Sequence, residues 1–335
     1  MKYRSLGSQG LEVSALGLGC SPLSGTPLGS YGKVPEDVVT AIFDRAVELG
    51  VTMFDSAECY GPWLSEEQVG RAIKGRRDKV VVATKYGFTY TPDGSAVTGQ
   101  DGTAVNAKRV LEASLKRLGT DHVDIYYLHR IDANVPIEES VGEMADLVKE
   151  GKVRYLGLSE PNEDSLRRGH AIHPISVVQS EYSLWERNIE TRMLPVMREL
   201  GVGLVPFAPL GRGMLTGTLR STAHLGDTDL RKSGYDPRFA PGNFEKNLKM
   251  VDTVVSVSEE LGISAAKVAL AWLLHKGDDI VPIPGVQKVV ELEDSFGAPD
   301  VVLSAAQLAR LEEAAPVGGT AGNRYSEREL SQVAR

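Results

Sequence analysis

Two cysteines, Cys20 and Cys59, are all that the 335 residues contain, and a pair so widely spaced builds neither a zinc site nor a disulfide framework. No apolar stretch reaches the roughly 18 residues needed to cross a bilayer. The opening MKYRSLGSQG also lacks the apolar core of a signal peptide. Lys/Arg-rich runs are missing and the formal net charge is −8, which argues against a general nucleic-acid binder. With 42% hydrophobic and 24% charged residues, composition excludes extended disorder. These absences lead us to expect a cytoplasmic protein with two free thiols and neither membrane nor nucleic acid as partner. They leave the oligomeric state open.

What is present is alternation. A helix is predicted over 35–49, opened by Pro35 and two acids and closed by "ELG", and "VTMFD" then reads as a strand. Gly119, Gly151 and Gly201 mark the same junction before "VDIYYLH", "RYLGLS" and "GLVPFAP", each suiting a helix end that needs positive φ. A second helix, about 136–149, repeats Ile137, Val141, Met144, Ala145 and Val148 on one face. Counting 13–19, 51–56, 80–87, 123–129, 154–159, 176–182, 203–209 and 279–285, the chain offers eight β-rich runs.

Most of the eight lack polar alternation, as in a parallel sheet covered on its faces, and eight with helices between them suit a (β/α)8 barrel of α/β class. The doubly wound alternative would place G-x-G-x-x-G after the first strand, but Pro22 stands where its third glycine belongs. Residues around "GSQG" predict an N-terminal β-hairpin. The stretch from Gly211 to about Gly242, after strand 7, predicts a long functional loop. A single barrel domain is expected over 1–335, with a tail at about 316–335 too polar to join the core.

In such a barrel the C-terminal strand ends share the face that carries the site. Asp55 ends the second strand, Lys85 the third and His129 the fourth, and Tyr60 follows Asp55 in "FDSAECYG". A free phenol titrates near about 10, and an adjacent ammonium lowers that value, so Lys85 is expected to ease proton release from Tyr60. Asp55 would keep Lys85 charged, and His129 would place a substrate oxygen. Proton delivery to an oxygen gaining charge suits hydride addition to a carbonyl. No side chain supplies hydride, so a nicotinamide cofactor is implied. Trp63 and Trp185, in loops after strand ends, are candidates to wall a substrate pocket, with Tyr31 and Arg212 as lesser ones.

The motifs "FDSAECYG", "VVVATKYG", "IYYLHR", "SVVQSEYSLW", "FAPLGRGMLTG" and "VPIPG", in this order, resemble those of the aldo-keto reductases from Tyr3 to about residue 312. The resemblance implies reduction of a small-molecule aldehyde or ketone, with Asp55, Tyr60, Lys85 and His129 as the catalytic tetrad and Tyr60 as proton donor. It implies that Ser159 and Gln179 hold the nicotinamide carboxamide and that Phe207 stacks on the ring. Leu210, Gly211, Arg212 and Gly213 fall near the pyrophosphate, with Gly285, Lys288 and Asp294 at the adenosine end. Glu160 stands where the family often has Asn, Ser295 where it has another Asn, and Val286 and Gln287 where hydroxyl and basic residues are common. Lys288 alone then favours NADPH/NADP+, with NADH bound more weakly. Some members of the family bind the nucleotide as channel-associated or sensing subunits, so that alternative also follows.

Overall fold

The first turns of chain form a plug. β1 (Tyr3–Ser5) and β2 (Glu12–Ser14) pair antiparallel, and their apolar residues Leu6, Leu11 and Val13 pack into the end of a barrel. The computed structural model describes residues 1–25, 31–330 and 333. The barrel begins with β3 (Leu18–Gly19), which is followed by the short α1 (Ser21–Ser24), by α2 (Glu36–Glu48) and by β4 (Met53–Asp55). Then come α3 (Leu64–Ile73), β5 (Val81–Tyr86) and a hairpin of β6 (Phe88–Tyr90) and β7 (Val97–Gln100). The pattern resumes with α4 (Ala104–Leu118), β8 (Val123–Leu128), α5 (Ile137–Lys149), β9 (Val153–Ser159), α6 (Glu163–Ile172), β10 (Ile175–Glu181), α7 (Met193–Leu200) and β11 (Gly203–Phe207). It closes with α8 (Asn243–Leu261), α9 (Ala265–Leu274), α10 (Val289–Ser295), α11 (Ala305–Ala314) and α12 (Glu327–Leu330).

The sheet order is β3-β4-β5-β8-β9-β10-β11, every pair parallel. Sequential neighbours throughout mean no reversal of strand order, which is the barrel's topology and not that of a doubly wound sheet. The run at 279–285 closes the ring without being a regular strand. Leu204 and Val281 hydrogen-bond it to β11 on one side, and Gly17 and Gly19 donate to the carbonyls of Pro282 and Pro284 on the other. Those two prolines have no N–H, so the ladder is half populated and only an isolated bridge to Ile280 remains. The expected first strand at 13–19 is likewise divided: residues to Ser14 belong to the hairpin, and only Leu18–Gly19 pairs in the barrel.

Alternation along the strands then sorts residues between two cores. Met53, Ala83, Ile125, Tyr127, Val177 and Val205 fill the barrel. Phe54, Val82, Tyr126, Leu128, Leu158 and Val178, one step out of phase, face the helices. Gly157 takes part in the same packing, since a Cβ there would lie 2.3 Å from the ring of Tyr127. Helix caps match the expected stops: Gly119 and Gly201 sit at φ 64° and 66°. Among the described residues no helix is long and apolar enough to cross a membrane.

The tail departs from expectation. Tyr325 is 1% exposed, Arg324 makes a two-pronged pair with Glu160, and Thr320 and Ala321 bond to Trp185 and Asn247. One tail residue, Tyr325, is thus buried, because it and Arg324 find partners in the long loop and at the end of β9.

Candidate active site

The barrel's inner phase, continued past its apolar layers, delivers the site. Asp55 lies two residues beyond Met53, Lys85 two beyond Ala83, His129 two beyond Tyr127, Gln179 two beyond Val177 and Phe207 two beyond Val205. Each therefore projects inward at a C-terminal strand end. Lys85 is wholly buried, with Nζ 2.5 Å from Asp55 Oδ1, 2.6 Å from the Ser56 carbonyl and 3.3 Å from Tyr60 Oη. The other Asp55 oxygen accepts from Gln179 Nε2 at 2.8 Å. A buried ammonium is stabilised only when its charge and protons are matched; Asp55 matches the charge, and Asp55, the Ser56 carbonyl and Tyr60 take the protons.

His129 lies edge-on to Tyr60, ring centroids 6.1 Å apart, and packs on Phe88 at 4.9 Å. Its Nδ1 is 3.6 Å from the Cys59 thiol. Burial, reinforced by the charges of Lys85 and Arg130, drives its pKa well below the usual value, so the imidazole is neutral at physiological pH. Burial also pushes the Cys59 thiol up to about 12. For Tyr60 the structure corrects the expected direction: burial first, then the Asp55 charge, raises the phenol well above its ordinary value. Burial outweighs the lowering charge of Arg130, and Tyr60 stays a protonated phenol.

A cavity of about 710 Å³ opens over these groups, touched by Asp55, Tyr60, His129, Ser159, Gln179, Phe207, Leu210, Arg212, Gly213, Gly285 and Asp294. Besides Lys85, four expected participants do not line it: Gly211, Trp63, Trp185 and Lys288. Trp185, 1% exposed, packs on Phe239 beneath the 210–213 turn, where a Cβ on Gly211 would meet its ring at 3.3 Å. Trp63 packs toward Gly94 at the turn between β6 and β7. Lys288 is exposed and 3.4 Å from Glu291. Asp294 is engaged by Lys267 at 3.1 Å and by the Ser264 hydroxyl. Tyr31 and Arg212 do line the cavity.

The wall opposite the tetrad is made by the long loop and the tail. Arg212 pairs with Asp236 at 2.9 Å, Arg231 with Asp229 at 2.7 Å, and Arg238 with Glu181 at 2.7 Å. Burial alone would raise the Glu181 carboxyl, but Arg238, Arg212 and Arg324 outweigh it and hold it below the ordinary carboxylate range. Glu160 at φ 53° accepts from the Glu181 amide as well as from Arg324. Sequence reading missed these contacts, along with Cys59 beside His129 and Arg130, whose Nη1 reaches Ser159 Oγ at 3.1 Å. Only Arg130, the neighbour of His129, carried a positional clue.

The family model described as "Aldo/keto reductase family" matches residues 15–316. A protein named "Probable aldo-keto reductase 1" from Glycine max is 42% identical over 324 residues, 96% of this chain and 90% of the soybean protein. Among solved structures, the glycerol dehydrogenase of Gluconobacter oxydans superposes with a TM-score of 0.83 at 28% identity, covering 93% of this chain and 94% of that one. A thermostable aldo-keto reductase crystallised with the inhibitor epalrestat gives 0.74 at 28% identity, over 94% and 100%. The chain belongs to the aldo/keto reductase family. It is an oxidoreductase of carbonyl compounds, in a family that generally uses nicotinamide cofactors.

Proposed function

We propose that this protein reduces an aldehyde or ketone to the alcohol with NADPH, and that Tyr60 gives the proton to the carbonyl oxygen. The observation that carries the reading is the position of Lys85 Nζ between Asp55 Oδ1 and Tyr60 Oη, with the phenol facing the cavity. The residues present suit a dinucleotide, because one continuous cavity touches Tyr60 and Phe207 at one end and Gly285, Asp294 and Ser295 at the other. Leu210, Arg212 and Gly213 line the cavity at the 210–213 turn, the segment that the family resemblance puts near the pyrophosphate, and Gly213 holds the turn at φ 92°. When bound, the reduced nicotinamide supplies the hydride that the side chains lack.

The protein's own groups then do the following. Phe207 offers its face to the ring, and Ser159 and Gln179 offer hydroxyl and amide to the carboxamide. His129, neutral, directs an N–H at the carbonyl oxygen and polarises it. Tyr60 transfers its proton to that oxygen as charge develops there. The phenolate left behind is stabilised by Lys85, whose charge Asp55 maintains. A raised resting pKa serves this role, since the donor is fully loaded before reaction and becomes acidic only relative to a nascent alkoxide.

The cofactor preference is modest. Lys288 is the residue for an adenosine 2′-phosphate, but its ammonium is already paired with Glu291 and largely hydrated. The reading is tested by following loss of the reduced-nicotinamide absorbance with NADPH and a panel of aromatic aldehydes, dicarbonyls, pyridoxal and sugars. Turnover of at least one carbonyl is expected, and tight NADPH binding with none turned over would overturn the enzymatic reading.

A further inference from the structure

Three guanidiniums line the cavity, and two of them have carboxylate partners: Arg212 with Asp236 and Arg231 with Asp229. The third, Arg130, has none within ion-pairing distance among the described residues. Its Nη1 donates to two neutral oxygens, the His129 carbonyl at 2.7 Å and Ser159 Oγ at 3.1 Å. Nε and Nη2 donate to no described group, yet neither is sealed from solvent. A half-buried guanidinium with two nitrogens open to the cavity, in a molecule that pairs its neighbours, can accept an anion there.

The position of that guanidinium is informative. Arg130 follows His129 directly, so its charge reaches Tyr60 and His129 on the barrel side and Tyr235 and Tyr325 on the loop and tail side. Both phenols of that wall are neutral, since burial raises them, and they offer no negative charge to satisfy it. Carboxylates of the wall, Glu160, Glu181 and Asp236, are spent on Arg324, Arg238 and Arg212. The pyrophosphate, by the family resemblance, belongs to the 210–213 turn on another strand end. Arg130 lines the same cavity as Tyr60 and His129, beside which the substrate's reacting carbonyl must lie.

We propose that Arg130 binds a carboxylate of the substrate, so that the carbonyl compounds this enzyme favours are oxo acids whose carboxylate sits within one small molecule's length of the aldehyde or ketone. The proposal rests on the carbonyl-reduction reading above. A planar carboxylate matches the forked guanidinium, and binding it fixes the carbonyl between Tyr60 and His129 while neutralising the stranded charge.

The test compares para-carboxybenzaldehyde with its methyl ester, which differ little in shape and in aldehyde reactivity but differ by one charge. In the wild type, kcat/KM for the acid should exceed that for the ester by about 10-fold or more, the scale of one charge-assisted contact. Arg130→Met should bring the ratio to about one, and Arg130→Lys should retain part of the preference. A role confined to holding Ser159 or His129 would lower both substrates together and leave the ratio unchanged. That result, or equal use of the two substrates by wild type, overturns the proposal. NADPH affinity, titrated by tryptophan quenching, separates the remaining possibility: a drop in Arg130→Met with an unaltered acid-to-ester ratio assigns the arginine to the cofactor. If the wild type reduces neither aldehyde nor any other carbonyl of the panel, it is the reductase reading that fails. The anion site is then read by calorimetric titration of benzoate and benzamide into the NADP+ complex. Benzoate binding that Arg130→Met abolishes supports the site, and equal binding of the two overturns it.

Discussion

The floor and the rim of the cavity hold their charges in different ways. On the floor, one ammonium, one carboxylate and one amide sit on barrel strands and satisfy one another over short distances: Lys85 to Asp55, and Asp55 to Gln179. On the rim, arginines from the long loop and the tail reach carboxylates from other elements, as in Arg238 with Glu181 and Arg324 with Glu160. Strands hold the floor's geometry, because every backbone group there is committed to the barrel. The rim has little regular backbone, so its buried ion pairs are what keeps it in place. Removing a floor group should therefore cost activity, together with stability where it strands a buried charge, whereas removing a rim group should cost stability with the tetrad left in place.

The largest effect is expected on the floor. Lys85→Met and Asp55→Asn should each lower kcat by about 10² or more, and the double variant should fall little below the worse single one, because each acts through the other. Fully additive losses in steady-state kinetics would show two independent roles. On the rim, Arg324→Met leaves Glu160 at 5% exposure without its main partner and should cost about 2 kcal/mol in chemical denaturation, discounted because the arginine is 20% exposed. The equivalent change in the exposed pair Arg167 and Glu199 should be silent. Equal effects from both would remove the distinction between a pinned rim and an ordinary surface.

A smaller effect concerns the carboxyl behind the floor. Burial, then the charge of Glu66, raises Glu58 from its usual range to about 8, and one of its oxygens has no partner among the described residues. The folded state holds this proton more tightly than the unfolded chain does. Its contribution is complete below the unfolded pKa and is lost as pH rises toward 8. Glu58→Gln should therefore raise the melting temperature relative to wild type more at pH 8 than at pH 5, and a difference independent of pH would refute the assignment. The smallest effect belongs to Lys288: Lys288→Ala should narrow the NADPH-to-NADH affinity ratio only a few-fold, and less at high salt. A ratio unchanged by the substitution would assign recognition of the 2′-phosphate to another residue.

The same contrast explains what the sequence made legible. Asp55, Lys85 and His129 could be placed because each ends a β-rich run whose apolar members fix its phase two residues earlier. The helix ends at Gly119 and Gly201 were readable because positive φ leaves a residue-type signature. The eighth run was read as a strand on its apolar character, but Pro282 and Pro284 withdraw the N–H groups a strand needs. The direction of the Tyr60 shift could not be read, since it depends on how distant elements wall the cavity around the phenol. Trp185 shows the same limit: its loop was correctly placed after a strand end, but the 210–213 turn folds above it and turns a presumed wall into a support. For Arg324 and Tyr325 no periodicity exists, and their burial depends on Glu160, Tyr235 and Arg212, all distant in sequence.

The central claim, that Tyr60 is the proton donor of a floor assembled around Lys85, is tested most directly by Tyr60→Phe with cofactor affinity and turnover measured on the same preparation. The substitution keeps the ring that packs against His129 and removes only the hydroxyl. The account predicts NADPH binding close to wild type and kcat for an aldehyde lowered by about 10² or more at every pH from 6 to 8. Wild-type turnover should show no step from His129 in that interval, because its imidazole stays neutral there. Turnover by the Phe variant at the wild-type rate would contradict the claim and move the proton donor to another group.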